Sequence, residues 1–413
     1  MYQTSLSKGQ ELVAQGMTRT FRNLGFEAYL ITGPYHDGKR VVSADAIDRS
    51  TGGYVVDDKD HRIPMLRVGG YVSGWPPRRI MFRNFVDTLR NIINDLDLDV
   101  LVTHSTLWNG PEDTAKFVLW TKTMRELGLH QGKIAYCHMP HYQPPHPVGY
   151  HVAERSFRMA WNRLVFPQVF RVADLILVTT PIEKEYMIRM GAKEEQCHLF
   201  PGGLDEELFA GYEDISSALF RTKLGISENK KIISFLGTIE ERKNPLAVAR
   251  IARRLRDMRD VHFVIAGRVS DQGEQVRNEV RDLANLSCVG EISNEEKVQL
   301  IKGSYLNILM SRMEALGMTQ IEFMYGGIPI ITSAVGGQKW LIRNGVEGIH
   351  VNGPEDVEGA AVAIRKLVEN VELRNEMSQK ARGRSEEFKL EKLTKGFHAM
   401  LQTILENSTC PER

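Results

Sequence analysis

The 413 residues include only four cysteines, Cys137, Cys197, Cys288 and Cys410, and no two of them form a C-x-x-C pair. That spacing excludes a disulfide framework and the common zinc patterns, and it leaves a reducing compartment, the cytoplasm, as the default. Charge of one sign is lacking as well. The 53 Lys and Arg balance 52 Asp and Glu to +1, so no global field draws nucleic acid as a partner. No apolar run approaches the ~18–20 residues of a membrane span, and the opening MYQTSLSKGQ holds no signal-peptide core. Low-complexity tracts and internal repeats are missing too. What is present is the composition of a globular enzyme, 42% hydrophobic and 25% charged, at a length that suits two domains of ~100–200 residues better than one.

Apolar periodicity predicts alternating strands and helices. A helical pattern over 10–21, closed by Gly25, precedes a short strand at 27–32. An α/β domain that opens on a glycine turn and a helix ordinarily has a strand before that turn. Only eight residues precede Gly9, so we expect a first domain without its opening strand, through a start shortened relative to the ancestral gene. Residues 33–67, polar and glycine-rich, read as hairpins or loop. The basic segment 76–85 runs into a helix ending near Asp95. Strands at 100–103, 133–136 and 175–178 follow, and 139–151 reads as loop because Pro144, Pro145 and Pro147 fit inside neither regular element.

The pattern restarts with a strand at 231–236, then a helix at 245–256, strands at 261–266 and 287–290, a helix at 294–302, and strands at 305–310, 328–332 and 348–351. Two such runs, with a break around 202–223, predict α/β architecture: two doubly wound, Rossmann-like domains facing each other across a ligand-binding cleft. We place the first at 1–207, completed by the final helix within 390–413, and the second at 208–389.

The most informative segment is Ser311-Arg312-Met313-Glu314-Ala315-Leu316-Gly317-Met318-Thr319-Gln320-Ile321-Glu322, which leaves a strand, turns at Gly317 and enters a short helix closed by Gly326-Gly327. A strand end meeting a helix N-terminus makes an anion site, with free N–H groups near Leu316, Gly317, Met318 and Thr319 facing a phosphate. Glu314 and Glu322 would repel that phosphate. They suit a ligand that also carries hydroxyls, such as a sugar and a ribose, because carboxylates accept paired hydroxyl hydrogen bonds. The bland alternative is two solvated helix glutamates.

Glu314, seven residues, Glu322, then Gly-Gly-Ile-Pro-Ile-Ile-Thr-Ser and Val335-Gly336-Gly337 resemble the signature of the retaining, nucleotide-sugar-dependent glycosyltransferases of family 4, the group 1 glycosyltransferases with the two-Rossmann GT-B fold. Trp340-Leu341-Ile342-Arg343-Asn344-Gly345 and Pro201-Gly202-Gly203-Leu204-Asp205 extend the resemblance. It implies a retaining glycosyltransferase that moves a hexose-type sugar from a nucleoside-diphosphate sugar, with no cofactor and no metal. Glu314 then lies near the transferred sugar and Glu322 on the ribose hydroxyls. The family holds the pyrophosphate with an arginine just after a glycine and a lysine five residues later. In Gly237-Thr238-Ile239-Glu240-Glu241-Arg242-Lys243 the lysine is matched by Lys243, the arginine position holds Thr238, and Arg242 is the candidate replacement.

The first domain is expected to supply the acceptor side. His138, at the exit of the 133–136 strand, matches a family histidine near the anomeric centre, and Gly9 in Ser7-Lys8-Gly9-Gln10 resembles one glycine of the family's glycine-rich loop. His104 reads as a satisfied strand-end histidine, and the spacing of His141, His146 and His151 fits no recurrent zinc site. The segment from Trp75 to Phe85, with Arg78, Arg79 and Arg83 among apolar residues, offers peripheral contact with an anionic membrane and a lipid-linked acceptor. We favour instead a first-domain helix with solvated arginines. Two rival functions share the architecture: a nucleotide-sugar epimerase and a non-catalytic sugar-nucleotide-binding protein.

Overall fold

Continuous apolar runs such as Leu175-Ile176-Leu177-Val178, all four buried, mark strands covered on both faces, the condition of a parallel sheet packed between helices. The computed structural model describes residues 8–36, 39–40, 42–57, 62–72, 80–105, 109–128, 134–142, 144 and 152–407. The chain divides into two units, Met1–Gly202 with Leu390–Arg413, and Gly203–Lys389.

The first unit runs α1 (Lys8–Asn23), β1 (Leu30–Thr32), β2 (Tyr35–His36), β3 (Lys39–Arg40), α2 (Ala44–Asp48), β4 (Tyr54–Asp57), β5 (Met65–Val68), β6 (Gly70–Val72), β7 (Ile80–Phe82), α3 (Phe85–Leu96), β8 (Val100–His104), α4 (Asn109–Glu126), β9 (Ala135–Met139), α5 (Val152–Val172), β10 (Leu175–Val178), α6 (Pro181–Arg189) and β11 (Cys197–Leu199). A parallel sheet in the order β11-β10-β9-β8 is accompanied by a three-stranded sheet, β1-β5-β4.

Two sequence expectations fail here. Residues 33–67 are not merely hairpin and loop, since β5 pairs in parallel with β1 and buries Leu66 and Val68. The strand was concealed by Arg67 at its centre, whose charge is nonetheless buried against Asp57 (3.0 Å) and the Gly33 carbonyl (3.2 Å). Ile80–Phe82 is likewise a strand, antiparallel to β6, rather than the start of a helix. Asn84, at φ +47°, breaks the backbone there, so the helix starts only at Phe85. Arg83 lies over the Tyr71 ring, 5.4 Å from its centroid, while Arg78 and Arg79 fall outside the described residues.

The second unit runs α7 (Ala218–Lys223), β12 (Lys231–Leu236), α8 (Pro245–Arg254), β13 (Val261–Ala266), α9 (Gly273–Val280), β14 (Leu286–Gly290), α10 (Asn294–Gly303), β15 (Ser304–Leu309), α11 (Met318–Tyr325), β16 (Ile330–Thr332), α12 (Gln338–Leu341), β17 (Gly348–His350), α13 (Val357–Glu369) and α14 (Val371–Ser385). Its six strands are all parallel, in the order β14-β13-β12-β15-β16-β17. Alternate residues of β12 feed two cores. Ile233 and Phe235 join Val248, Ile251 and Ile364, whereas Ile232 and Leu236 join Leu300, Ile321 and Phe323. From β12 the chain winds outward through β13 and β14, then returns to lay β15 on the other side of β12. The reversal between β12 and β15 is the place where open α/β sheets bind ligands, at the strands' carboxyl ends.

The last helix, α15 (Leu390–Asn407), belongs to the first unit, with Phe397 edge-on to Phe21 (5.8 Å) and Phe200 (6.1 Å). Among the described residues no helix is long and apolar enough to cross a membrane.

Candidate functional site

At the β12–β15 reversal the loop after β12 carries Arg242 and Lys243. Backbone bonds pin it: Ile239 N–H donates to the Arg268 carbonyl (2.9 Å), and Arg312 N–H, from the loop after β15, donates to the Arg242 carbonyl (2.8 Å). Asn244, 1% exposed and at φ +53°, ends the loop and donates its side-chain amide to the Pro354 carbonyl (2.8 Å). Lys243 is thereby aimed across the reversal, where its ammonium ion-pairs with Glu314. Arg242 turns to Glu240 instead (2.6 Å). The Glu240 amide donates to the Thr238 carbonyl (2.9 Å).

Glu314 is 8% exposed. Burial pushes its carboxyl up, but the charges of Lys243 and Arg242 and the lysine hydrogen bond outweigh it, holding the group below its ordinary range. The Glu314 carbonyl accepts from Gly337 N–H (3.2 Å) in the loop after β16. Gly336 passes so close that a Cβ there would lie 2.0 Å from that carbonyl oxygen.

Gly317, at φ +101°, turns the chain into α11. A Cβ on it would sit 2.3 Å from the Gln320 side-chain oxygen. The first bonds of the helix are Gln320 and Ile321 N–H to the Gly317 carbonyl, so among the described residues the Met318 and Thr319 amides have no acceptor. They form an N-terminal anion cradle. The Leu316 side chain is core, 4% exposed, which leaves its backbone as the part available to a ligand. One turn on, Glu322 bonds Lys297 of α10 (2.6 Å). Burial raises the Glu322 carboxyl, and Lys297 only partly offsets it.

The second unit thus brings Lys243, Glu314, Gly317 and the α11 amides together, with Arg242 and Glu322 beside them. Lys297 escaped sequence reasoning. Its signal was a lysine flanking the buried Val298, Leu300 and Ile301 of α10, since a long cation on the shoulder of an apolar face needs a carboxylate partner.

In the first unit His138 is not at a strand exit. It lies inside β9, with 0% exposure, because the apolar run continues through Cys137 to Met139. Its Nδ1 is 2.9 Å from Thr103 Oγ1, which is 2.9 Å from the Tyr136 hydroxyl, and that hydroxyl donates to the Pro111 carbonyl (3.2 Å). With the tyrosine proton spent on Pro111, the threonine donates to Tyr136 and the histidine proton sits on Nδ1. Nε2 remains an acceptor with no hydrogen-bond partner among the described residues. Burial, reinforced by His104, lowers the imidazole to about 3 and keeps it neutral.

His104 Nδ1 lies 3.0 Å from His141 Nε2, the rings stacked. Glu183, also unanticipated, is buried where it accepts from the Thr179 amide and hydroxyl (2.6 Å each) and from the Tyr142 amide, tying the loop after β9 to α6. His146 and His151 lie outside the described residues. Gly9, expected in a turn, is in the first turn of α1, since once nucleated a helix gains a backbone bond with each residue added. Thr103→Val should cost ~1–3 kcal/mol in chemical denaturation by stranding the buried Tyr136 and His138 groups; an unchanged midpoint would contradict the relay.

Two family models match the chain. The one described as Glycosyl transferases group 1 covers residues 216–384, and the one described as Glycosyltransferase Family 4 covers residues 7–208. Mannosylfructose-phosphate synthase of Agrobacterium fabrum is 22% identical over 355 residues, 78% of this chain and 73% of that protein. D-inositol 3-phosphate glycosyltransferases are also similar: that of Corynebacterium jeikeium is 26% identical over 59% of this chain and 60% of its own, that of Mycobacterium sp. (strain JLS) 27% over 49% and 46%. The match spans about half the length of these relatives. Among solved structures, a glycosyltransferase from Rickettsia africae superposes with TM-score 0.71 at 16% identity, covering 98% of this chain and 97% of that one. Anabaena HepE in complex with UDP-glucose gives 0.66 at 16% identity, with 96% of each covered. At these identities the structural likeness is one of fold.

Proposed function

The chain belongs to the group 1, family 4 glycosyltransferases and has their GT-B fold; from that premise we propose that it transfers a hexose-type sugar, with retention of anomeric configuration, from a nucleoside-diphosphate sugar to an acceptor held by the first unit. One observation carries this reading. A phosphate-binding constellation, Lys243 and the open end of α11, sits at the sheet reversal together with two carboxylates that have no use for phosphate.

In this reading Lys243, Arg242 and the Met318 and Thr319 amides neutralise the leaving diphosphate, Glu314 holds sugar hydroxyls, and Glu322 holds the ribose. Lys243 ion-pairs with Glu314. The arriving diphosphate competes for the ammonium and frees the carboxylate for hydroxyls. The glycosidic carbon–oxygen bond to phosphate breaks as the acceptor oxygen bonds the same face, and the acceptor proton passes to the departing phosphate oxygen. No protein nucleophile is required. His138 Nε2 is a neutral acceptor with no partner among the described residues, but its full burial argues against direct contact with a substrate hydroxyl.

HepE is solved with UDP-glucose, so UDP-hexoses are the first donors to try. A donor at ~100 times its dissociation constant should stabilise the protein by ~2.7 kcal/mol in thermal shift. Product stereochemistry by NMR then tests retention. Epimerised sugar nucleotide formed without acceptor would overturn the transfer reading, and nucleotide binding without turnover across donor and acceptor panels would overturn the enzymatic one. Glu322→Gln should weaken UDP binding by roughly 10- to 150-fold, the equivalent of one charge-assisted hydrogen bond at ~1.5–3 kcal/mol; calorimetry reads it directly.

A further inference from the structure

The Lys297–Glu322 pair has a feature that the donor reading does not use. Lys297 Nζ donates to Glu322 Oε1 at 2.6 Å, each side chain 17% exposed, while Glu322 Oε2 is buried with no hydrogen-bond partner among the described residues. A buried acceptor left bare costs ~1–3 kcal/mol, so it awaits a donor. Lys297 is presented rigidly. Ser293 and Glu296 form a capping box that fixes the start of α10, and the buried Val298, Leu300 and Ile301 set its rotation.

We infer that Lys297 is a positioning residue for the donor nucleotide: from α10 it holds the Glu322 carboxylate in place as a charged double acceptor, which is what discriminates a ribonucleotide from its deoxy counterpart. This rests on the reading of Glu322 as the ribose carboxylate.

The argument is one of hydrogen-bond supply. Two vicinal hydroxyls need two acceptor oxygens, and a carboxylate offers both only while ionised. The charged groups acting on Glu322 are Lys297 from α10 and Asp205 from the segment after β11. Asp205 and burial both favour the neutral acid, and Lys297 alone opposes them. Without the lysine, the carboxyl takes up its proton at higher pH than in wild type, and that proton converts one acceptor into a donor. The ribose then loses a partner as pH falls and regains it as pH rises.

The test measures dissociation constants for UDP and 2′-deoxy-UDP by calorimetry from about pH 5.5 to 9, in wild type, Lys297→Met, Lys297→Arg and Glu322→Gln. Wild type and Lys297→Arg should keep their preference for UDP to lower pH than Lys297→Met. In Lys297→Met the preference should collapse by about tenfold or more at the acid end and recover toward the alkaline end. Adding Lys297→Met to Glu322→Gln should change nothing further. A loss in Lys297→Met that is the same at every pH, or that adds to that of Glu322→Gln, would overturn the inference, because the lysine would then act on the ligand directly or on the fold. If Glu322→Gln itself binds UDP like wild type, it is the ribose reading that fails. Rescue by Lys297→Arg guards against a variant that simply misfolds.

Discussion

Lys243→Ala is expected to reduce transfer by ~10²–10³-fold, equivalent to ~2.7–4 kcal/mol of lost transition-state stabilisation, the scale for removing one group aimed at developing charge. In the proposed reading the leaving diphosphate must be neutralised, and among the described residues the groups assigned to it are few: the α11 amides, Arg242 and Lys243. Arg242 spends its guanidinium on Glu240 at 2.6 Å, and Thr238 stands where an arginine would otherwise help. The lysine therefore carries an unusual share. Its loss also strips Glu314 of its cation. That carboxyl, held below its ordinary value of 4.5 by Lys243 and Arg242 against burial, should rise in the variant and take up a proton, which limits the damage to the fold. The sign for stability follows. A depressed folded-state value stabilises above the unfolded value near 4.5 and is lost as pH falls through the folded value, so wild type should lose this stabilisation below about pH 4.5 while the variant has none to lose there. Single-turnover kinetics at saturating donor, with circular dichroism as the folding control, is the measurement. Wild-type turnover would remove Lys243 from the mechanism.

Gly336→Ala should be strongly damaging to the second unit's site. Its backbone at φ +54° costs an alanine ~1 kcal/mol, and Ala334, at φ +55°, shows that this loop tolerates the conformation. The larger penalty is steric. The added Cβ would lie 2.0 Å from the Glu314 carbonyl oxygen, a backbone atom that cannot rotate away, so the loop after β16 must move off the loop after β15, which carries Glu314. Overpacking of this kind costs ~1–3 kcal/mol or more. The sum, at about 2–4 °C per kcal/mol for a unit of this size, lowers the melting temperature by roughly 5–15 °C. Gly345→Ala isolates the conformational part, since Gly345 has φ +77° and nothing within 4 Å of a Cβ. It should lose only a few degrees. Equal losses in the two variants would show that the Gly336–Glu314 approach is not tight.

The second unit was legible almost element by element because its central strands are largely buried on both faces and so are written as mostly apolar runs. Glu314, Lys243 and Glu322 were legible because a strand end, a glycine and a short helix place chemistry at fixed offsets along the chain. The first unit was harder to read. β5 hides a buried arginine, β7 is three residues long, and His138 looks like a loop histidine until its strand is seen to continue past it.

By itself, then, the sequence determined the α/β class, the family resemblance and the residues that local spacing brings near a phosphate. Tertiary structure decided the pairings: Lys243 with Glu314, Lys297 with Glu322, and the Tyr136–Thr103–His138 relay that sets the histidine tautomer. The physical reason is range. Periodicity and helix-end chemistry act over a few neighbouring residues, whereas an ion pair between segments 71 residues apart, or a relay joining residues 33 and 35 apart, exists only once parallel strands have set their register.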